Sequence, residues 1–205
     1  TIPVFDKTGR VIFFKLRRLP EHEESNPTKY RYTKDAQADL YGAELLNNVL
    51  NDPVIITEGE LDALVLRDWG YIAVSSTGGA VTFKSKWTEY FNKVSAIFFC
   101  FDNDEVGKRE AVNHAKLFRN KNVYIVDIPR ENGVKDVTDY KTSQKTKEDF
   151  EYILKKARKY DPFKLEFSDI EFADALTEFI PAQFFTSDNA YITLQLNVKC
   201  ENGVN

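Results

Sequence analysis

The stretch IFFCFDNDEVGKREA, residues 97–111, decides the fold. Five apolar residues run straight into Asp102, Asn103, Asp104 and Glu105, and Gly107, Lys108 and Arg109 follow. The first half reads as a buried strand, and the second opens a helix that the spacing carries over 105–120. A strand ending on three carboxylates within four residues gathers like charge, and each charge resists desolvation. Either water bathes the site fully or a counter-charge neutralises it.

The same pattern extends to both sides. Residues 53–59, 71–76 and 122–129 read as further short strands, and 60–70 and 83–93 as helices, the first closing on Gly70. A Gly-rich turn, TGGA, occupies 77–80. Strands rich in Val, Ile and Phe that alternate with helices imply an α/β fold, a parallel sheet flanked by helices on both faces. Upstream, 4–8 and 10–17 form a predicted β-hairpin about Lys7-Thr8-Gly9. A polar loop covers 22–28, and a helix is predicted over 35–50, stopped by Asn51-Asp52-Pro53. Downstream, 145–160 and 169–180 read as helical and 191–199 as a strand. Three parts are expected: an N-terminal basic lobe (1–50), a central domain (51–142) and a C-terminal extension or linker (143–205).

Composition excludes several classes. The 205 residues are 42% hydrophobic and 29% charged, the balance of a soluble globular protein. No window reaches the roughly 18 consecutive apolar residues of a membrane span, and the first residues lack a signal-peptide pattern. The sequence contains no Met and starts at Thr1, so it reads as a piece of a longer protein. Cys100 falls inside an apolar strand far from Cys200, as a small core residue would, and fits a reducing cytoplasm. No CxxC pair offers a zinc ribbon, no GxxxxGK[ST] offers a helicase motor, and His22 and His114 lack partners at metal-ligand spacing. The net charge of −4 argues against nucleic-acid binding by bulk electrostatics. A local basic patch nevertheless occupies the N-terminus: Lys7, Arg10, Lys15, Arg17, Arg18, Lys29, Arg31 and Lys34. From composition alone the better reading is the solvated face of a hairpin.

In a parallel α/β sheet, function gathers at the carboxyl ends of the strands. That puts Glu58, Asp102 and Asp104 on one rim, with Asp62 a turn into the next helix and Asp136 and Asp139 after the fourth strand. Carboxylates without His or Cys suit a hard cation such as Mg²⁺, which keeps several waters and needs few protein ligands. Singly, each acid is also an ordinary cap or turn residue; Asp104 is placed to cap the helix at 105.

TEGELDAL (57–64) followed by FFCFDNDEVGKREA (98–111) and KDVTDY (135–140) resembles the TOPRIM domain of bacterial-type or phage primases and primase–helicases. Those proteins often read EGExDAL, FDxDxAGxxA and KDxND, and Val106 stands where Ala is usual. The resemblance covers about residues 50–142, and the segment before it resembles the lobe that precedes TOPRIM in those proteins. It implies a TOPRIM-type, Rossmann-like sheet with a small N-terminal α+β lobe. It implies catalytic roles for Glu58, Asp102 and Asp104, and Mg²⁺ (or Mn²⁺) held by Asp102 and Asp104, with Glu58, Asp62 and Asp136 nearby. Glu58 is then a ligand or the general base for the attacking 3′-hydroxyl. Arg17, Arg18, Lys29 and Lys34 become candidates for nucleic-acid contact, as does Lys108, which is equally a solvated helix residue. The implied activity is nucleotidyl transfer, RNA-primer synthesis, in the cytoplasm of a bacterial or phage-infected cell. The implied partners are single-stranded DNA template, ribonucleoside triphosphates and a helicase domain or subunit, with no membrane. A TOPRIM nuclease and a non-catalytic nucleic-acid-binding module are the alternatives. The intact acids count against the latter, and KDVTDY with the basic lobe against the former.

Overall fold

Phe13 and Lys15 point inward while Ile12, Phe14 and Leu16 face solvent, the two-residue alternation of a half-buried strand. They lie on β2 (Val11–Arg17), which pairs antiparallel with β1 (Ile2–Phe5) as the expected hairpin. β3 (Tyr30–Tyr32) adds a third strand beside β2. The computed structural model describes residues 1–19, 28–131 and 133–161. The helix expected over 169–180 and the strand over 191–199 lie outside the described residues, as do His22 and Cys200.

The larger sheet has six strands: β4 (Leu40–Tyr41), β5 (Val54–Thr57), β6 (Ala73–Ser76), β7 (Ala96–Cys100), β8 (Asn122–Ile125) and β9 (Arg158–Lys159). Their order is β4-β6-β5-β7-β8-β9. The four inner strands are parallel, as the apolar runs imply, and both two-residue edge strands run antiparallel. Edges this short offer little backbone to a foreign strand. Among the described residues, four α-helices flank the sheet: α1 (Glu60–Asp68), α2 (Glu105–Ala115), α3 (Val137–Thr142) and α4 (Lys147–Lys155).

One face of the sheet buries Trp87, Phe91, Phe99 and Phe118. The other packs Ile55, Leu66 and Phe150 together with Ile2, Val4 and Phe13 of the N-terminal sheet, so the hairpin shares a core with the large sheet. Cys100 is a buried free thiol in this second core.

Local expectations needed correcting in four places. The helix expected over 35–50 is instead β4 followed by a 3-10 segment, Ala43–Asn48. Leu40 and Tyr41 pair with Ser76 and Ser75, and Gly42 turns the chain at φ 88°, so ladder bonds outcompete the helix. The helix expected over 83–93 is 3-10 over Ser85–Phe91. That stretch is short of strong helix formers, and burial of Trp87 and Phe91 sets its course. The helix expected over 105–120 is α2 ending at Ala115, with a 3-10 turn over Lys116–Phe118. The segment 145–160 ends as a strand, because Arg158 and Lys159 pair with β8.

The chain steps from β5 to β6 on one side, then returns to place β7 on the other. The carboxyl ends of β5 and β7 therefore flank the point where winding reverses, where α/β sheets open a crevice.

Candidate active site

Glu58 is the residue after β5, and Gly59 caps α1 in extended conformation. The Thr57 hydroxyl donates to the Gly59 carbonyl at 2.9 Å and so fixes this turn. Across the crevice, Asp102 follows β7 and Asp104 caps α2, its Oδ1 accepting from the Gly107 amide at 2.8 Å. Gly107 is required here: a Cβ would lie 2.2 Å from the Asp102 carbonyl oxygen. The Asn103 amide donates to the Lys135 carbonyl at 2.7 Å and its side chain to the Ile128 carbonyl, which ties the acidic loop to the segment before α3. Asp136 caps α3 by accepting from the Asp139 amide at 2.7 Å.

These acids share one field. Burial pushes the Asp102 carboxyl up to about 7, helped by Glu58, Asp62 and Asp136 and opposed by Lys135. Glu58 is raised by burial and by Asp104 and Asp136, while the amides of Asp102 and Ala80 that face it draw it down. Its Oε2 is buried without a hydrogen-bond partner. Asp62 is pushed up to about 6 by burial and Asp136, against its bonds from Thr138.

Asp62 does not face solvent. It is 7% exposed and accepts from the Thr138 amide at 2.9 Å and the Thr138 hydroxyl at 2.7 Å, joining α1 to α3. Among the described residues, no three His, Cys, Asp or Glu side chains stand close enough to form a ligand cluster by themselves. The donor set nevertheless suits a hard divalent cation. It is all oxygen, it repels itself, and one buried Glu58 oxygen lacks a partner. Mg²⁺ commonly takes one or two carboxylates and completes its shell with water and substrate phosphate.

One structural contact escaped the sequence reading. Lys15, there part of the basic patch, is buried, and its Nζ lies 2.7 and 2.8 Å from the two Glu60 carboxylate oxygens. The same ammonium donates to the Thr77 carbonyl at 2.8 Å and sits 4.3 Å from the Tyr30 ring centroid. Tyr32 also donates to Thr77 O, at 3.1 Å. The hairpin is thus bolted to the start of α1 and to the Gly-rich turn. The available signal was alternation, which puts Lys15 on the inward face with Phe13. Arg17, Lys29, Lys34 and Lys108 are exposed, and Arg18 is half-buried. Lys29 lies 5.6 Å from the Tyr30 ring centroid, and Arg109 pairs with Glu110 at 3.0 Å.

A Glu at the end of one inner strand and Asp-x-Asp at the end of its neighbour, on a crevice of this topology, form the arrangement expected of a TOPRIM-type fold. Residues 55–141 match the family model described as Toprim-like. The chain is 31% identical over 113 residues to a DNA primase of Pseudomonas putida, a match covering 53% of this chain and 17% of that protein. It therefore spans under a fifth of the length of that curated relative. The fold is similar to a DNA primase domain from Pseudomonas aeruginosa, with TM-score 0.61 and 25% identity over 77% of this chain and 50% of the other. It also resembles a chain in a bacteriophage T7 assembly described as a lagging-strand DNA polymerase interacting with primase domains bound to an RNA/DNA hybrid and dTTP. There the TM-score is 0.63, with 22% identity over 78% of each chain, a likeness of fold alone.

Proposed function

We propose that the chain is the catalytic part of a DNA primase or primase–helicase, synthesising RNA primers on single-stranded DNA by divalent-metal-dependent nucleotidyl transfer. The convergence of Glu58, Asp102 and Asp136 into one self-repelling field carries this reading, with Asp102 held at about 7. Asp102 and Asp104 would hold Mg²⁺ or Mn²⁺, with Glu58, Asp62 and Asp136 close by. Asp104 and Asp136 each commit one oxygen to a helix cap, and Asp62 is occupied by Thr138, so Asp62 contributes charge and orientation. The bound cation would offset the charge that develops on the transferred phosphoryl group.

The chain's own residues do the remaining work. Glu58 accepts the proton of the attacking 3′-hydroxyl; its raised pKa brings its basicity nearer to neutral pH, where a general base is most effective. Exposed Arg17, Lys29 and Lys34, with Arg18, hold the template backbone, and Lys108 contacts phosphate at the start of α2. Tyr30 and Tyr32 lie among these cations, although Tyr32 also carries a structural bond. The proposed parts are an N-terminal lobe (1–50), a central domain (51–142) and a C-terminal extension (143–205), with β4 and β9 adding edge strands to the central sheet from the two flanking parts. A helicase domain or subunit completes the assembly, and the site of action is the cytoplasm of a bacterial or phage-infected cell. Among the described residues, no helix is long and apolar enough to cross a membrane.

The test supplies single-stranded DNA, ribonucleoside triphosphates and Mn²⁺, and examines both nucleic acids. New oligoribonucleotides support the proposal. DNA fragments without them would make the protein a TOPRIM nuclease, and neither product, in this chain and again in the full-length protein, a non-catalytic binding module.

A further inference from the structure

The Gly-rich turn after β6 carries a few bonds of its own: the Gly79 amide donates to the Ser76 carbonyl at 3.2 Å, and the Thr82 amide and hydroxyl donate to the Gly79 carbonyl at 3.2 and 2.9 Å. Gly78 and Gly79 add backbone freedom, and Gly79 sits at φ 84°, in the left-handed region. Yet β6 pairs in parallel with β5, so the turn borders Glu58, and the Ala80 amide is one of two that face its carboxylate. Bonds from outside meet the turn at both ends as well. At Thr77, Lys15 and Tyr32 donate to the carbonyl, and the Thr77 hydroxyl oxygen accepts from the Asp39 amide at 3.0 Å. At the far end, the Ala80 carbonyl is met by Nε2 of His114, which reaches across from α2.

His114 is 7% exposed. Its ring packs among Phe83, Phe101 and Phe99 at centroid distances of 5.3, 5.8 and 6.3 Å. A carbonyl oxygen only accepts, so Nε2 carries the proton. The bond lands on the residue whose own amide faces Glu58. It also comes from the helix that Asp104 caps, so α2 carries a rim acid at its start and the anchor of the turn near its end.

We propose that His114 is a positioning residue, whose bond to the Ala80 carbonyl fixes the Gly-rich turn so that the Ala80 amide stays on Glu58. It touches neither substrate nor the reacting atoms. The consequence for metal and catalysis rests on the nucleotidyl-transfer reading above; the mechanical role does not.

His114→Met and His114→Leu fill the same space without a donor, and one serves if the other fails to fold. His114→Gln keeps an N–H donor and is the rescue. Hydrogen exchange followed by NMR reads the Gly79 and Ala80 amides against those of Phe99 and Ile125 in the sheet. The apolar variants are expected to exchange roughly ten-fold faster or more in the turn alone, as local opening would. Titration with Mn²⁺ should show affinity lowered by roughly ten-fold, the scale of lost supporting interactions at metal sites. His114→Gln should bring both readouts back toward wild type. Unchanged exchange in the turn, or an equal rise throughout the sheet, would reduce His114 to packing and overturn the proposal. If wild type binds no Mn²⁺, the nucleotidyl-transfer reading fails while the exchange result still decides the role of His114.

Discussion

Replacing Lys15 by Met removes the charge that compensates Glu60 while keeping most of the side chain's bulk. Side-chain exposures in this pair are 6% for Lys15 and 2% for Glu60, so solvent cannot take over. Two short contacts to the carboxylate are lost at once, and the Thr77 carbonyl keeps only its bond from Tyr32. Breaking a buried pair by removing one partner costs about 3–5 kcal/mol. For a chain of this size that lowers Tm by about 6–20 °C, and the same loss appears as a lower urea midpoint. The double variant Lys15→Met with Glu60→Leu should recover most of the loss, because no uncompensated charge stays buried. The assay is a double-mutant cycle by urea denaturation at neutral pH, in metal-free buffer. A single variant within about 1 kcal/mol of wild type would mean the pair behaves as a solvated surface bridge, and would refute the reasoning.

Three further outcomes are expected. Without metal, the acids make stability depend on pH: Asp62 and Asp102 have folded-state values of about 6 and about 7, above the usual carboxylate range. The folded protein holds these protons more tightly, so stability is greatest below the unfolded-state value and declines as pH rises through about 7. Thermal melts at pH 5 and pH 8, with and without Mg²⁺, check this; the cation should flatten the decline, and a melt that rises with pH over that window would contradict it. Gly107→Ala forces a Cβ to within 2.2 Å of a backbone oxygen and should destabilise by about 1–3 kcal/mol, or more if the Asp102–Asp104 loop shifts, as read by urea midpoint. Calorimetric titration with Mn²⁺ should show binding by wild type that Asp102→Asn loses; equal binding by both would remove Asp102 from the site.

Much of the architecture was legible because period and punctuation agree. The runs at Val54–Thr57, Ala73–Ser76, Ala96–Cys100 and Asn122–Ile125 are short, apolar and closed by polar or Gly signals, and all four are inner parallel strands. The rim followed from where those strands end. Less was legible where distant partners decide local structure. Leu40 and Tyr41 carry helical spacing, yet pairing with β6 makes them an edge strand. The same holds for Arg158 and Lys159, whose charge suggests a helix face until β8 supplies a ladder. Within the site, residue type revealed the acids but not their division of labour. Asp62 and Asp136 read alike in sequence, yet one is buried against Thr138 and the other caps α3. Lys15 reads as one cation among eight, and only its inward position reserves it for Glu60.

In the proposed reaction Glu58 takes the proton of the attacking hydroxyl on a rim that holds metal through Asp102 and Asp104. The most direct measurement is incorporation of labelled ribonucleotide into oligomers on single-stranded DNA with Mn²⁺, comparing wild type with Glu58→Gln. The variant keeps size and hydrogen bonding but loses basicity. Incorporation by wild type and a loss of about 10²–10⁴-fold in the variant, with Mn²⁺ still bound, is the predicted result. A Glu58→Gln protein that incorporates ribonucleotide as fast as wild type would contradict the account.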